Sequence, residues 1–254
     1  MLGTRLVIKR GSRDEAEKPF WISFSDLMSA LMVLFLVAMS VALLAVTKKV
    51  SEEEREDKER IEAIATLMDE IRKVVSAKEF EGVRVIGNTI DFGPRGRFEK
   101  EGQNTLSLPQ RDLIRQFTPI FLDKLRTTDA GKRWFKRAVV EGYASQSGKY
   151  LFNLNLSLER SARVLCELLR DPPLGEQRLS EEDRRLVATK FFVGGASFNS
   201  LRSTADDSRR IEFKLEFKTR QERKEEASIP PPQPNAALLT EALDPKERCP
   251  LFDR

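Results

Sequence analysis

The side chain with the most chemical potential in this sequence is a lone carboxylate. Asp26 stands at the edge of LMSALMVLFLVAMSVALLAV, the twenty residues from Leu27 to Val46, which contain no charge, no Pro and no Gly. A carboxylate beside a bilayer-length apolar run is costly unless it faces protein or water, and by default it marks a candidate functional site. Trp21 offers an interfacial aromatic, and Ser25 and Ser29 offer hydroxyls that can hydrate the carboxylate. The plain alternative is a helix cap, for which Asp is well suited. A helix starting at Pro19 weakens that alternative, because it puts Asp26 about two turns inside. The chain has no His, which removes the commonest general base and metal ligand. There is no metal-ligand cluster and no phosphate-cradling loop, so the sequence argues for no enzyme and no cofactor.

A second group of residues could bind rather than react. Tyr143 and Ser145 follow a short apolar strand, and Phe152, Asn153, Leu156 and Arg160 follow on a helical pattern. By themselves Asn153 reads as a cap, Leu156 as core and Arg160 as a surface ion pair. The adjacent Arg209 and Arg210 read equally as structural or ligand-contacting.

These residues need elements to carry them. At ~1.5 Å per residue the apolar run matches the ~30 Å hydrocarbon core of a bilayer. Five Lys/Arg precede it in residues 1–18 and five follow in residues 47–60, so the positive-inside rule sets no orientation. No small-residue cleavage site follows the run, which reads as an uncleaved anchor with a cytoplasmic N-terminus. The expected organisation is a cytoplasmic tail at 1–18, a transmembrane helix at 19–47 and a charged helical linker at 48–79. A globular domain at 80–220 and a Pro-rich flexible tail at 221–254 complete it. In the linker, Ile61, Ile64, Met68, Ile71 and Val75 form a heptad seam. It suits either a coiled coil with a second copy or a helix lying on the domain that follows.

The domain reads as β-α-β-α-(α)-β-β: a two-layer α/β sandwich with a mixed sheet. Val83, Val85, Ile90 and Phe92 suggest a broken strand, and Ser107-Leu108-Pro109 a helix start. Leu154, Leu158, Ala162, Leu165 and Leu169 suggest a helix face. Ile211, Phe213, Leu215 and Phe217 alternate with charges, as in a strand with one wet face. Cys166 and Cys249 are far apart, one in an apolar helical pattern and one in the tail, so neither a disulfide nor a metal site is expected. The net charge of +4 is small beside 84 charged residues and does not favour nucleic-acid binding.

Two stretches resemble known families. WISFSDLMSALMVLFLV resembles the ion-carrying helix of MotB-type stator subunits, with Trp21, Asp26, Met28, Ser29, Ala30, Met32 and Phe35 on the pattern. EGYASQSGKYLFNLNLSLERSARVLCELL, with GGASF and DDSRRIEF downstream, resembles the OmpA-like peptidoglycan-binding domain. Glu141, Gly142, Tyr143, Gly148, Asn153, Leu156, Ser157 and Arg160 fall on its first two parts. Arg209, Arg210, Ile211 and Glu212 fall on its third.

The resemblance implies a bacterial inner-membrane protein with a periplasmic C-terminal domain. Asp26 would bind the transported ion, H+ in preference to Na+, and a homodimer would sit inside a MotA-like ring subunit. Tyr143, Ser145, Phe152, Asn153, Leu156 and Arg160 would contact peptidoglycan. Ser145 departs from the family, which has an aspartate there to hold the charged end of diaminopimelate, so altered or weaker contacts are implied. The short linker and overall length resemble the B subunits of Zorya anti-phage motors. A flagellar stator subunit and a passive wall tether are the alternatives. A TolR/ExbD-type energiser fits less well, because it lacks the OmpA-like signature.

Overall fold

The apolar run and the charged run after it form one uninterrupted helix. In the computed structural model, which describes residues 14–230 and 235–251, α1 spans Asp14–Val75. It starts upstream of Pro19, the expected start. Residues 14–18 are therefore helix rather than tail, and the rest of the expected N-terminal tail lies outside the described residues. Every residue from Ser23 to Val50 is exposed, leaving the apolar side chains open to lipid or protein. Among the described residues α1 is the one helix long and apolar enough to cross a membrane. Contacts divide the chain between Glu56 and Asp57 into two units.

In the second unit, the last turns of α1 belong to the domain core. Leu67, Met68, Ile71 and Val75 are buried in it, and Ile64 packs partly against it. Ile61 stays 62% exposed. The heptad seam is thus occupied within its own chain from Ile64 onward. Arg60 Nε donates to the Lys218 carbonyl at 2.7 Å, and Lys124 pairs with Glu70 at 3.2 Å.

The domain continues through β1 (Arg84–Ile86), β2 (Thr89–Asp91), α2 (Leu108–Thr127), α3 (Asp129–Arg133), β3 (Phe135–Gly142) and α4 (Tyr150–Leu169). It ends through α5 (Glu181–Lys190), β4 (Phe191–Gly195), α6 (Ala205–Ser208), β5 (Ile211–Phe217), α7 (Arg220–Ser228) and α8 (Ala236–Ala242). The sheet order is β1-β2-β5-β3-β4, antiparallel except for the β3–β4 pair, so the sheet is mixed. The expected broken strand is a hairpin, because Gly87-Asn88 supplies a two-residue turn between β1 and β2. A capping box of Ser107 and Gln110 starts α2, and Pro119 lies within it without ending it. The core joins Phe92, Phe117, Phe121, Phe191 and Phe213 edge-to-face, stacked or tilted, with centroids 4.8–6.4 Å apart.

Three expectations need correction. The buried face of α4 is Asn153, Leu156, Ser157, Arg160, Val164 and Leu168, rotated from the predicted leucine face, and Leu158 is 39% exposed. The cause is polar burial: hydrogen-bonded Asn153, Ser157 and Arg160 take places where apolar residues were expected. The wet face of β5 is only partly wet, since Glu212 is buried between Arg202 and Arg210.

The third correction concerns the tail and its cysteine. Thr219 and Glu222 form a capping box at the start of α7, and Lys136 pairs with Glu222 at 2.6 Å. Further on, Cys249 is bonded to Cys166 of α4, a disulfide over a separation of 83 residues. The Asp171 amide donates to the Pro245 carbonyl at 2.8 Å beside it. Neither cysteine is the unpaired residue that the sequence suggested.

Candidate functional site

Two separate places carry the predicted site residues. In the first unit, Asp26 lies about three turns inside α1, well beyond a capping position. It shares one helix face with Ser29, Ala30, Val33, Val37 and Ala38, at the i, i+3, i+4, i+7 spacing. Ser29 donates its hydroxyl to the Ser25 carbonyl at 2.8 Å. Its hydroxyl hydrogen is therefore spent on the backbone and not directed to Asp26. Trp21 is roughly 140° around the helix from Asp26, at ~100° per residue. It stacks edge-on against Phe24 at 6.5 Å, so it is not brought to the carboxylate.

In the second unit the predicted residues converge where β3 ends and α4 begins. A Cβ at Gly142 would sit 2.0 Å from the Ser157 carbonyl, so only Gly lets α4 come this close to the sheet. Ser157 then accepts from the Ser197 amide at 3.0 Å, and the Ala144 amide donates to the Ser197 carbonyl at 2.8 Å. The ends of β3, β4 and α4 are stitched together by these bonds.

Arg160 is the centre of this arrangement and is completely buried. Its Nε donates to the Gln103 carbonyl at 2.8 Å and its Nη1 to the Tyr143 carbonyl at 2.7 Å. Its guanidinium lies 4.4 Å over the Phe98 ring. Its Nη2 is buried without an acceptor. Burial, and then the nearby Arg209, lower the Arg160 pKa to about 9, which leaves it charged at neutral pH. One charged donor in a dry setting is therefore unspent, and an anionic acceptor fits it. Arg160 is thus not the surface ion pair that its residue type suggested: two of its five N–H donors are spent on backbone carbonyls.

The remaining predicted residues lie on the connection after β3 and on the first half of α4. Asn153 is buried and donates Nδ2 to the Ser147 carbonyl at 2.7 Å. Leu156 and Ser145 are buried, and Phe152 is 48% exposed. Tyr143 donates its hydroxyl to Glu141 at 2.5 Å, and Arg210 stacks over its ring at 3.9 Å. Burial, with that bond to a carboxylate, pushes the Tyr143 pKa up. Arg209 and Arg210 both make internal bonds: Arg209 donates to the Phe98 and Glu99 carbonyls, and Arg210 to Glu212 and the Ser200 carbonyl. Sequence reasoning missed the loop around Gln103, whose backbone carbonyl carries no residue-type signal.

A bilayer-length helix with an internal carboxylate thus precedes an α/β sandwich with a mixed sheet. No protein-family model matches the chain. It is 35% identical over 237 residues to the Zorya protein ZorB of Escherichia coli O139:H28 (strain E24377A / ETEC), covering 91% of this chain and 95% of that one. The chain belongs to the ZorB family.

Among solved structures, the periplasmic domain of Helicobacter pylori MotB matches at 13% identity and a TM-score of 0.40, over 61% of this chain and 94% of that one. The OmpA-like domain of FopA1 from Francisella tularensis matches at 18% identity and a TM-score of 0.35, over 54% and 82%. The family assignment rests on the ZorB relative.

Proposed function

We propose that this chain is the B subunit of a proton-driven inner-membrane motor in an anti-phage defence system. The observation that carries the reading is its 35% identity to a Zorya protein along 91% of its length, with Asp26 on the apolar helix. Two copies of α1 would sit within a ring of a ZorA/MotA-like membrane subunit. Asp26 would alternate between neutral and ionised states as protons cross, and each change would alter its fit to the ring. The C-terminal domain would hold peptidoglycan through Arg160 and its neighbours, giving the motor a fixed point in the wall. The Cys166–Cys249 bond supports a periplasmic domain, since disulfides persist in that oxidising compartment. The N-terminus would then be cytoplasmic.

Asp26→Asn tests the motor. The variant should insert normally, assemble with its partner subunit and lose both ion flux and phage protection. Unchanged flux and protection would refute the ion-carrier role and leave a passive tether. Arg160→Ala should reduce retention on purified sacculi, and retention equal to wild type would place the wall contact elsewhere.

A further inference from the structure

One helix of the domain is docked without a core. α7 reads RQERKEEAS, and none of its residues is buried. Between it and the sheet lies a cleft of about 790 Å³, lined by Lys136, Arg137, Lys190, Phe192, Glu222 and Ile229 among others. Phe192 stays 47% exposed there, and Ile229, just past the helix, 80%. The apolar burial that fixes α2 and α4 is therefore missing under α7.

Charge holds it instead. Lys136 of β3 pairs with Glu222 at 2.6 Å, Lys218 pairs with Glu226, and Arg220 pairs with Asp57 of α1 at 3.5 Å. The Arg223 guanidinium lies 4.4 Å over the ring of the buried Trp134. All three ion pairs are partly exposed, so dissolved salt screens them. The segment is tied on both sides. Before it, the Lys218 amide donates to the Trp134 carbonyl at 2.6 Å, and after it Cys249 is bonded to Cys166. A helix tethered in this way opens locally and returns to the same seat. Its lifting divides the polar contacts of α1. Arg60 donates to the Lys218 carbonyl, which stays with the sheet, whereas Asp57 pairs with α7 itself.

We propose that α7 is an electrostatic strap, held shut by charge pairs in place of a core, whose opening with rising ionic strength releases Asp57 of α1 and uncovers Trp134. The strap stands independently of the motor reading. Within that reading, its opening loosens a tie between the domain and the helix that carries Asp26.

The test is hydrogen–deuterium exchange of the full-length, oxidised protein in detergent, read by mass spectrometry at two salt concentrations. Between about 0.1 M and 1 M NaCl the screening length falls from ~10 Å to ~3 Å. A partly exposed pair is worth roughly 1.5- to fivefold in such an equilibrium, so losing three should lower the protection of α7 amides by about tenfold. Peptides from α2 and α4 should change less than about twofold, because apolar burial holds them. Glu226→Lys should open α7 already at the lower salt, and adding Lys218→Glu should restore the pair and the protection. Acrylamide, an uncharged quencher, reads Trp134 in a Trp21→Phe background, and quenching should rise in step with α7 exchange. Salt-independent protection of α7 overturns the proposal, as does α7 exchange that appears only together with α2 and α4. Exchange of α7 while Trp134 stays shielded also overturns it, since the helix would then be fraying in its seat.

Discussion

The disulfide offers a quantitative check on the fold. Cys249→Ser opens a loop of 83 residues that contains α5, β4 and β5, three elements of the core domain. On the chain-entropy account, that closure stabilises the folded state by about 4.5 kcal/mol at 25 °C. For a domain of this size each kcal/mol shifts the midpoint by about 2–4 °C, so a loss of roughly 10–15 °C is expected. Thermal unfolding of the detergent-solubilised protein measures it. Trp134, buried at 1% exposure, reports on the domain, while Trp21 lies on the apolar helix. Reduced wild type should unfold with Cys249→Ser, and oxidised wild type should unfold above both. If Cys249→Ser melts within about 2 °C of oxidised wild type, the reasoning fails, since the tail would then be detaching before the core unfolds.

Other perturbations probe particular contacts. Ile71→Ala should cost about 2–5 kcal/mol by truncating a fully buried side chain, at any protein concentration. A cost that grows on dilution would instead place Ile71 in an interface between copies. Gly142→Ala should cost about 2–3 kcal/mol in denaturant unfolding, because its methyl meets the Ser157 backbone. The bond from Lys136, then the Thr219 amide, hold the Glu222 pKa down at about 2 against an ordinary 4.5. Its contribution is therefore complete above about pH 4.5 and lost as pH falls through about 2. Glu222→Gln should flatten that acid limb while leaving unfolding at high pH with the same slope.

The legible parts of the sequence were those with a local periodicity. Twenty uncharged residues identify the membrane-length helix, and Ile211 to Phe217 alternate cleanly as β5. The α4 face was displaced because the pattern counts leucines, while the fold buries Asn153, Ser157 and Arg160 against backbone partners far along the chain. No periodicity encodes Arg160 reaching the Gln103 carbonyl 57 residues away. The disulfide is similar: 83 residues separate its cysteines, and only the path of the tail brings them together. Ile61 to Val75 show the limit of pattern from the other side. The same seam satisfies a coiled coil and a docked helix, and the aromatic core that receives Ile71 is built from residues beyond the seam.

The closed loop between Cys166 and Cys249 also sets how far the chain can stretch. Pulled by its two ends, an unfolded chain would run through the disulfide and bypass the 83-residue separation between its cysteines. At ~3.4 Å per extended residue, that withholds roughly 280 Å of contour length. Reducing the bond would release that length in one step. The protein therefore carries a concealed reserve of extension, set by a single covalent bond near its C-terminus.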